Sequence, residues 1–298
     1  MKFKQLAEKF KESLTSIYQE DEAQALFLTM LNHHLKFSRA DYFLRKEDTI
    51  SPDDLKNFEG ILNELVAGKP IQYILEEAIF YGLPFKVNPS VLIPRPETEE
   101  LVEWIIEEIK SYDLRFTNDA IVNHQSSIKN LLDIGTGSGC IAIALKKNLP
   151  NTKVYALDIA EDTLETAKQN AILNNVEVEF IKTDILTSSI LRLPSSISII
   201  VSNPPYIKED EKPAMHKNVL ANEPHRALFV SNENPLIFYD AIANFALQNL
   251  TENGLLFFEI NEYLGKQTID LLKDKRFKNI ELRKDMQGKD RMICCSKP

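Results

Sequence analysis

Apolar residues recur at helical spacing through the opening part of the chain. Phe3, Leu6, Phe10, Leu14 and Ile17 fall on one face of a helix. Ala23 to Leu35 and Arg39 to Leu44 read as two further helices. A fourth begins at Ser51-Pro52-Asp53-Asp54, where a cap serine precedes a first-turn proline, and continues through Leu55, Phe58, Ile61, Leu62 and Leu65. Gly68-Lys69-Pro70 stops it. Residues 1–72 therefore read as a small all-helical domain, and His33-His34 within it as part of a helix face.

The pattern then changes. Ile79-Phe80-Tyr81 and Phe85-Lys86-Val87, separated by Gly82-Leu83-Pro84, predict a β-hairpin, so that residues 73–95 form a linker. Pro96 opens a helix with Leu101, Val102, Ile105, Ile106 and Ile109 on its apolar face and three glutamates in its first turn. From about Ser111 to Ser127 the chain is polar and patternless, which predicts a surface connection.

From Ile128 onward, short apolar runs alternate with helical patterns. Strands are expected at Leu131–Ile134, Val154–Asp158, Val178–Ile181, Ile197–Ser202 and Leu255–Ile260. Helices are expected at Cys140–Asn148, Ala160–Asn174, Pro235–Leu250 and Tyr263–Leu272. Ile280–Leu282 and Met292–Cys294 close the chain as an antiparallel pair. Such alternation predicts an α/β, doubly wound, mostly parallel sheet occupying residues 96–298.

The candidate chemistry sits at two strand ends. Ile197–Ser202 runs into Asn203-Pro204-Pro205-Tyr206. Two prolines fix the backbone after the strand, and the first holds Asn203 extended. A planar NH2 group could donate one hydrogen to the Asn203 side-chain oxygen and one to the Pro204 carbonyl, while Tyr206 stacks on the flat group carrying it. The alternative is a turn closing a strand. The second end is Gly135-Thr136-Gly137-Ser138-Gly139, followed by a helix N-terminus and, one strand later, by Asp158. Small residues let a ligand approach the backbone, and an acid at Asp158 could accept both ribose hydroxyls of a nucleoside. Asp133 beside the turn would repel a pyrophosphate but could pair, directly or through water, with the amino group of a methionine moiety. This favours S-adenosylmethionine over a dinucleotide. In a doubly wound sheet the first and fourth strands flank the switch point, so turn and elbow face one crevice.

Composition narrows the setting. Of 298 residues 44% are hydrophobic, enough for a sizeable core. A net charge of -9 argues against affinity built on phosphate contacts. Three cysteines, Cys140, Cys294 and Cys295, have no metal spacing, so no metal is expected and a reducing, cytoplasmic compartment fits. No apolar run approaches membrane-spanning length.

Asp133–Gly139, Asp158 and Asn203–Tyr206 together resemble the class I amino-methyltransferases that act on planar nitrogens. Ile93-Pro94-Arg95-Pro96-Glu97-Thr98-Glu99 is narrower. With Gln72-Tyr73-Ile74, Phe80-Tyr81-Gly82 and Glu223-Pro224-His225-Arg226-Ala227-Leu228, it resembles the peptide chain release factor glutamine N5-methyltransferases, the PrmC/HemK family. One departure is Leu75-Glu76-Glu77, where that family usually has a glycine. The resemblance implies a seven-stranded, Rossmann-like class I sheet. It also implies methyl transfer from S-adenosyl-L-methionine to the glutamine of the Gly-Gly-Gln loop in bacterial class 1 release factors, supporting translation termination. By the same resemblance, Asp133, Gly135, Thr136, Gly137, Ser138, Gly139, Asp158, Ile185 and Asn203 hold the cofactor. Asn203, Pro204, Pro205 and Tyr206, with Arg95 and Glu97, hold the glutamine, and the helical domain helps hold the release factor. A monomer is expected, with neither membrane nor direct nucleic-acid binding. An N6-adenine DNA or RNA methyltransferase using the same elbow, a methyltransferase for another protein glutamine, and a catalytically silent binding protein are the competing readings.

Overall fold

The computed structural model describes residues 1–116, 129–187 and 196–298, with residues 112–116 described by their backbone only. By its internal contacts the chain divides into two units, Met1–Glu77 with Met215–Glu223, and Ala78–Ala214 with Pro224–Pro298.

The first unit is helical. Its helices are α1 (Phe3–Leu14), α2 (Glu20–Leu35), α3 (Arg39–Arg45), α4 (Pro52–Val66) and α5 (Ile71–Leu75). Leu6, Phe10, Leu14, Phe27, Met30, Phe58 and Leu65 are buried at its centre, which is why the apolar positions repeat as they do. Two helices carry serine caps, and the one at Ser51 is the cap the sequence predicts. Ser38 and Asp41 exchange a reciprocal pair of bonds before α3, and Ser51 accepts the Asp54 N–H at 3.1 Å before α4. The unit also takes in a segment that sequence periodicity did not assign to it. Asn218 donates to the Tyr18 hydroxyl at 2.6 Å, Asn222 donates to the Gly68 carbonyl at 3.0 Å, and His216 stacks on Tyr18.

Short α5 was not expected, and it ends at Glu76 in the left-handed region, φ 54°. A glycine is the usual choice there, so the departure noted in the sequence leaves the backbone path intact at a cost in strain. The hairpin follows as β1 (Glu77–Phe80) and β2 (Leu83–Lys86). Its turn is Tyr81-Gly82, both at positive φ, and not Gly82-Leu83-Pro84; Leu83 and Pro84 are already in strand. Phe80 and Phe85 are fully buried in the core of the second unit. Asn170 fastens β2 there, accepting from the Lys86 N–H at 2.6 Å and donating to the Lys86 and Ser138 carbonyls.

The rest of the second unit comprises α6 (Pro96–Phe116), β3 (Asn130–Ile134), α7 (Cys140–Asn148), β4 (Lys153–Asp158), α8 (Glu161–Leu173), β5 (Glu179–Lys182) and β6 (Ile197–Ser202). Next come the two-residue strand β7 (Ile207–Lys208), α9 (Lys217–Asn222, within the first unit) and β8 (Phe229–Val230). The chain ends with α10 (Ile237–Asn249), β9 (Leu250–Glu259), α11 (Gly265–Asp274), β10 (Lys278–Lys284) and β11 (Asp290–Ser296). Helix α6 runs past Ser111 to Phe116, and the remainder of the polar connection lies outside the described residues.

Seven strands form one sheet in the order β10-β11-β9-β6-β3-β4-β5, with β11 antiparallel to its neighbours. This is the doubly wound, mostly parallel sheet expected. One face packs on α6 and α7 through Leu101, Ile105, Ile141 and Val201, the other on α10 and α11 through Tyr239, Ile242, Ile200 and Leu272. Burial on both faces explains why the central strands read as continuous apolar runs. The first and fourth strands of the sheet, β3 and β6, pair directly, with Ile134 opposite Ser202. The glycine turn and the elbow thus leave neighbouring strands at the same edge. Among the described residues, no helix is long and apolar enough to cross a membrane.

Candidate active site

A crevice of about 300 Å³ opens at the carboxyl ends of β3, β4 and β6, within the second unit. Gly135 to Ser138 form one wall, Asp158 and Ile159 the next, and Asn203, Pro204 and Pro205 the opposite one. Ile134, Leu157, Ile185, Phe238 and Ile242 supply an apolar lining. This is the switch-point geometry that the strand order predicts.

The turn is tied down by backbone and carboxylate bonds. Gly135 and Thr136 both donate to the Leu157 carbonyl, at 2.9 and 2.8 Å. Asp158 accepts the Gly137 N–H at 3.0 Å and the Ala160 N–H at 3.1 Å. Burial raises the Asp158 carboxyl, and the Ala160 and Gly137 N–H groups and Arg226 oppose that shift. Gly137 has φ 56° with open space where a side chain would stand, so the ligand-facing surface there is bare backbone. Gly139 differs. A side chain there would meet Ile143 and Ala167 at 3.0 and 3.2 Å, so its smallness serves packing between α7 and α8.

Asp133 lies beneath the turn, fully buried, and is not on the crevice wall. The Thr136 hydroxyl donates to it at 2.7 Å, and burial pushes its carboxyl up to about 7 against the bonds from Thr136 and the Ala142 N–H. Its Oδ1 atom is buried and has no hydrogen-bond partner among the described residues. The expected pairing of Asp133 with an ammonium group finds no direct support in this position, because no surface of the carboxyl reaches the crevice; it holds the turn through Thr136 instead. Asp158 at the end of β4 and the bare backbone at Gly137 leave room and hydrogen-bonding groups for a polar ligand in the crevice.

Of the other residues singled out from sequence, Thr136, Ser138, Ile185 and Arg95 line the crevice. Glu97 does not, and accepts from Gln287 at 3.2 Å instead. Tyr206 does not line it either. Its ring packs against the core behind the elbow, and its hydroxyl donates to Glu259 at 3.0 Å. The expected stacking of Tyr206 on a substrate therefore finds no support in its position.

Two further residues complete the elbow. The Asn203 amide donates to the Thr98 hydroxyl at 3.2 Å, and that hydroxyl donates to Glu259 at 2.6 Å. Glu259 is 2% exposed, and burial raises its carboxyl while Thr98, Tyr206 and Arg291 favour its charged form. The sequence carries a signal for it, an acid ending the apolar run Leu255–Phe258 in a central strand. Arg226 is a further residue to which the sequence assigns no role. Its guanidinium joins Asp162, Thr163 and the Ser90 carbonyl at the crevice rim, at 2.8 to 3.0 Å.

Comparison with known proteins gives a consistent picture. The Methyltransferase small domain family matches residues 118–237, and the PrmC N-terminal domain family matches residues 5–75. A release factor glutamine methyltransferase of Flavobacterium psychrophilum is 48% identical over 295 residues, covering 98% of each chain. One from Bacteroides thetaiotaomicron is 39% identical, covering 96% of this chain and 97% of its own. The fold likeness extends to a T. thermophilus 16S rRNA N2 G1207 methyltransferase at TM-score 0.51 and 17% identity, over 74% of this chain and 50% of that one.

Proposed function

We infer the activity of the crevice from a premise: the chain belongs to the release factor glutamine methyltransferase family. It transfers a methyl group to the side-chain amide nitrogen of the glutamine in the Gly-Gly-Gln loop of bacterial peptide chain release factors. The methyl donor we assign is S-adenosyl-L-methionine, which when bound supplies a methyl carbon activated by a positive sulfur. Asp158 would accept the ribose hydroxyls and Ile185 would border the adenine, while Asp133, buried off the crevice wall, would hold the turn through Thr136 rather than touch the cofactor. The setting we assign is the cytoplasm, where release factors work, and the helical unit helps to hold them.

The observation that carries the mechanism is the orientation of Asn203. Its NH2 is engaged by Thr98, so its Oδ1 is the end available to a ligand. An amide nitrogen is a poor nucleophile because its lone pair is delocalised into the carbonyl. Asn203 Oδ1 and the Pro204 carbonyl would accept its two hydrogens and hold the nitrogen toward the methyl carbon. Alignment of this kind is worth roughly 7–11 kcal/mol of a barrier. The positive charge growing on nitrogen meets two acceptors that need no reorganisation. The donor, when bound, would supply the methyl group as its carbon–sulfur bond opens, and the amide nitrogen held by Asn203 and Pro204 would release its proton to solvent as the nitrogen–carbon bond forms.

Asn203→Ala tests this reading. It removes one acceptor and leaves both prolines. Single-turnover rates should fall on the order of 10²–10³-fold, with a much smaller change in cofactor affinity. Turnover near that of the wild type would return the motif to a structural turn.

A further inference from the structure

Asn203 has a carboxamide with two ends, and only one of them accepts hydrogen bonds. The two ends are nearly equal in size, so shape alone does not choose between them. The choice is made behind the elbow. Thr98 has a single hydroxyl proton, and it goes to Glu259 Oε2 at 2.6 Å. A charged carboxylate can only accept, so the remaining face of the Thr98 oxygen offers lone pairs alone. The Asn203 NH2 meets that face at 3.2 Å. A flipped carboxamide would set oxygen against oxygen. Thr98 and Glu259 are each 2% exposed, so water does not stand in for either partner.

We propose that Glu259, acting through Thr98, is the positioning residue that turns the acceptor end of Asn203 into the crevice; this rests on the reading of Asn203 as the acceptor for the substrate amide. The one-way chain is Asn203 NH2 to Thr98 hydroxyl to Glu259 carboxylate, and Tyr206 secures the other carboxylate oxygen at 3.0 Å. Protonation of Glu259 allows the chain to reverse. The carboxyl then donates to Thr98, Thr98 donates to Asn203 Oδ1, and the carboxamide presents hydrogens to a substrate that needs acceptors.

The groups facing Glu259 set when this happens. Arg291 on β11 favours the charge, as do the hydroxyls of Thr98 and Tyr206. Burial and Glu97 at the start of α6 oppose it. Tyr239 on α10 donates to the Glu259 main-chain carbonyl, and Cys140 at the start of α7 also feels its charge. Ionisation of Glu259 therefore sets the low-pH limit of turnover.

The test is a cycle of Thr98→Val and Thr98→Ser in wild-type and Asn203→Ala backgrounds. Single-turnover rates are read across pH at saturating cofactor, and cofactor affinity is measured separately. Thr98→Val keeps the side-chain shape and breaks the chain. It should lower turnover about 10–100-fold, as expected when a reacting group loses its alignment, while cofactor affinity changes far less. Thr98→Ser should restore most of the rate. In the Asn203→Ala background Thr98→Val should add nothing further, and the low-pH limb should be absent from the Thr98→Val profile. Wild-type turnover in Thr98→Val, or a full additional loss on top of Asn203→Ala, overturns the inference while leaving Asn203 as the acceptor. Full activity in Asn203→Ala overturns the acceptor reading itself, and the inference with it.

Discussion

Asn203 and Asp133 show how much a single side chain can depend on what lies behind it. A carboxylate at position 203 would place oxygen against the Thr98 lone pairs, because the Thr98 proton is already committed to Glu259. Asn203→Asp should therefore turn over as poorly as Asn203→Ala, despite retaining an acceptor of the same size. Single-turnover rates at saturating cofactor check this, and clear retention of activity in the Asp variant would mean that the NH2 contact is dispensable. The elbow itself was legible in sequence because its chemistry is contiguous. Its support was not, because Thr98 and Glu259 lie 161 residues apart and meet only through the sheet.

Asp133 makes a stability prediction at the same scale. Its folded pKa, about 7, lies above the ordinary 3.8. Between those values the folded chain holds a proton that the unfolded chain has released. The contribution to stability is thus greatest below about pH 4 and is lost as pH rises to about 7, by at most on the order of 4 kcal/mol. Asp133→Asn removes that titration while keeping an acceptor for Thr136. Without cofactor, the melting temperature of the wild type should fall relative to that of Asp133→Asn between pH 5 and pH 8. Parallel curves would show that Asp133 is not held protonated in the fold.

Elements that periodicity or capping chemistry decides are legible in the sequence. The Ser51-Pro52 start, the Pro96 start and every strand of the main sheet fall within a few residues of where the pattern places them, apart from β9, whose start at Leu250 lies on a stretch read as helix. Elements decided by distant packing are not legible in the sequence. Helix α9 and the pair β7–β8 are too short to carry a period, and they exist because Tyr18, Gly68 and each other supply partners. The α5–β1 junction lies between these cases. Glu76 is exposed and holds φ 54°, which costs a side-chain-bearing residue roughly 1–2 kcal/mol. Glu76→Gly should relieve that strain, partly offset by the greater freedom of glycine in the unfolded chain. We expect a net gain of about 0.5–1 kcal/mol, seen as a rise of about 1–3 °C in thermal midpoint with methylation unchanged. A lower midpoint would show that the left-handed turn is not strained.

At the scale of the whole molecule, the notable feature is how the chain is shared out. Residues 215–223 belong with the helical unit although they lie between β7 and β8, downstream of the elbow. Removing the first 77 residues would strip Asn218 and Asn222 of their partners Tyr18 and Gly68, so a truncated chain is a poor probe of substrate docking. The intact chain is the right subject. In it, one crevice, walled by the glycine turn and the Asn203 elbow, should methylate a protein amide and not a nucleic-acid base. The most direct measurement incubates the purified chain with labelled S-adenosylmethionine and, in parallel, with release factors, DNA and RNA, followed by peptide mass mapping. We expect a single added methyl group on the glutamine of the Gly-Gly-Gln loop, abolished or strongly reduced in Asn203→Ala, with no label on DNA or RNA. Label on adenine, with the release factor glutamine unmodified, would contradict it.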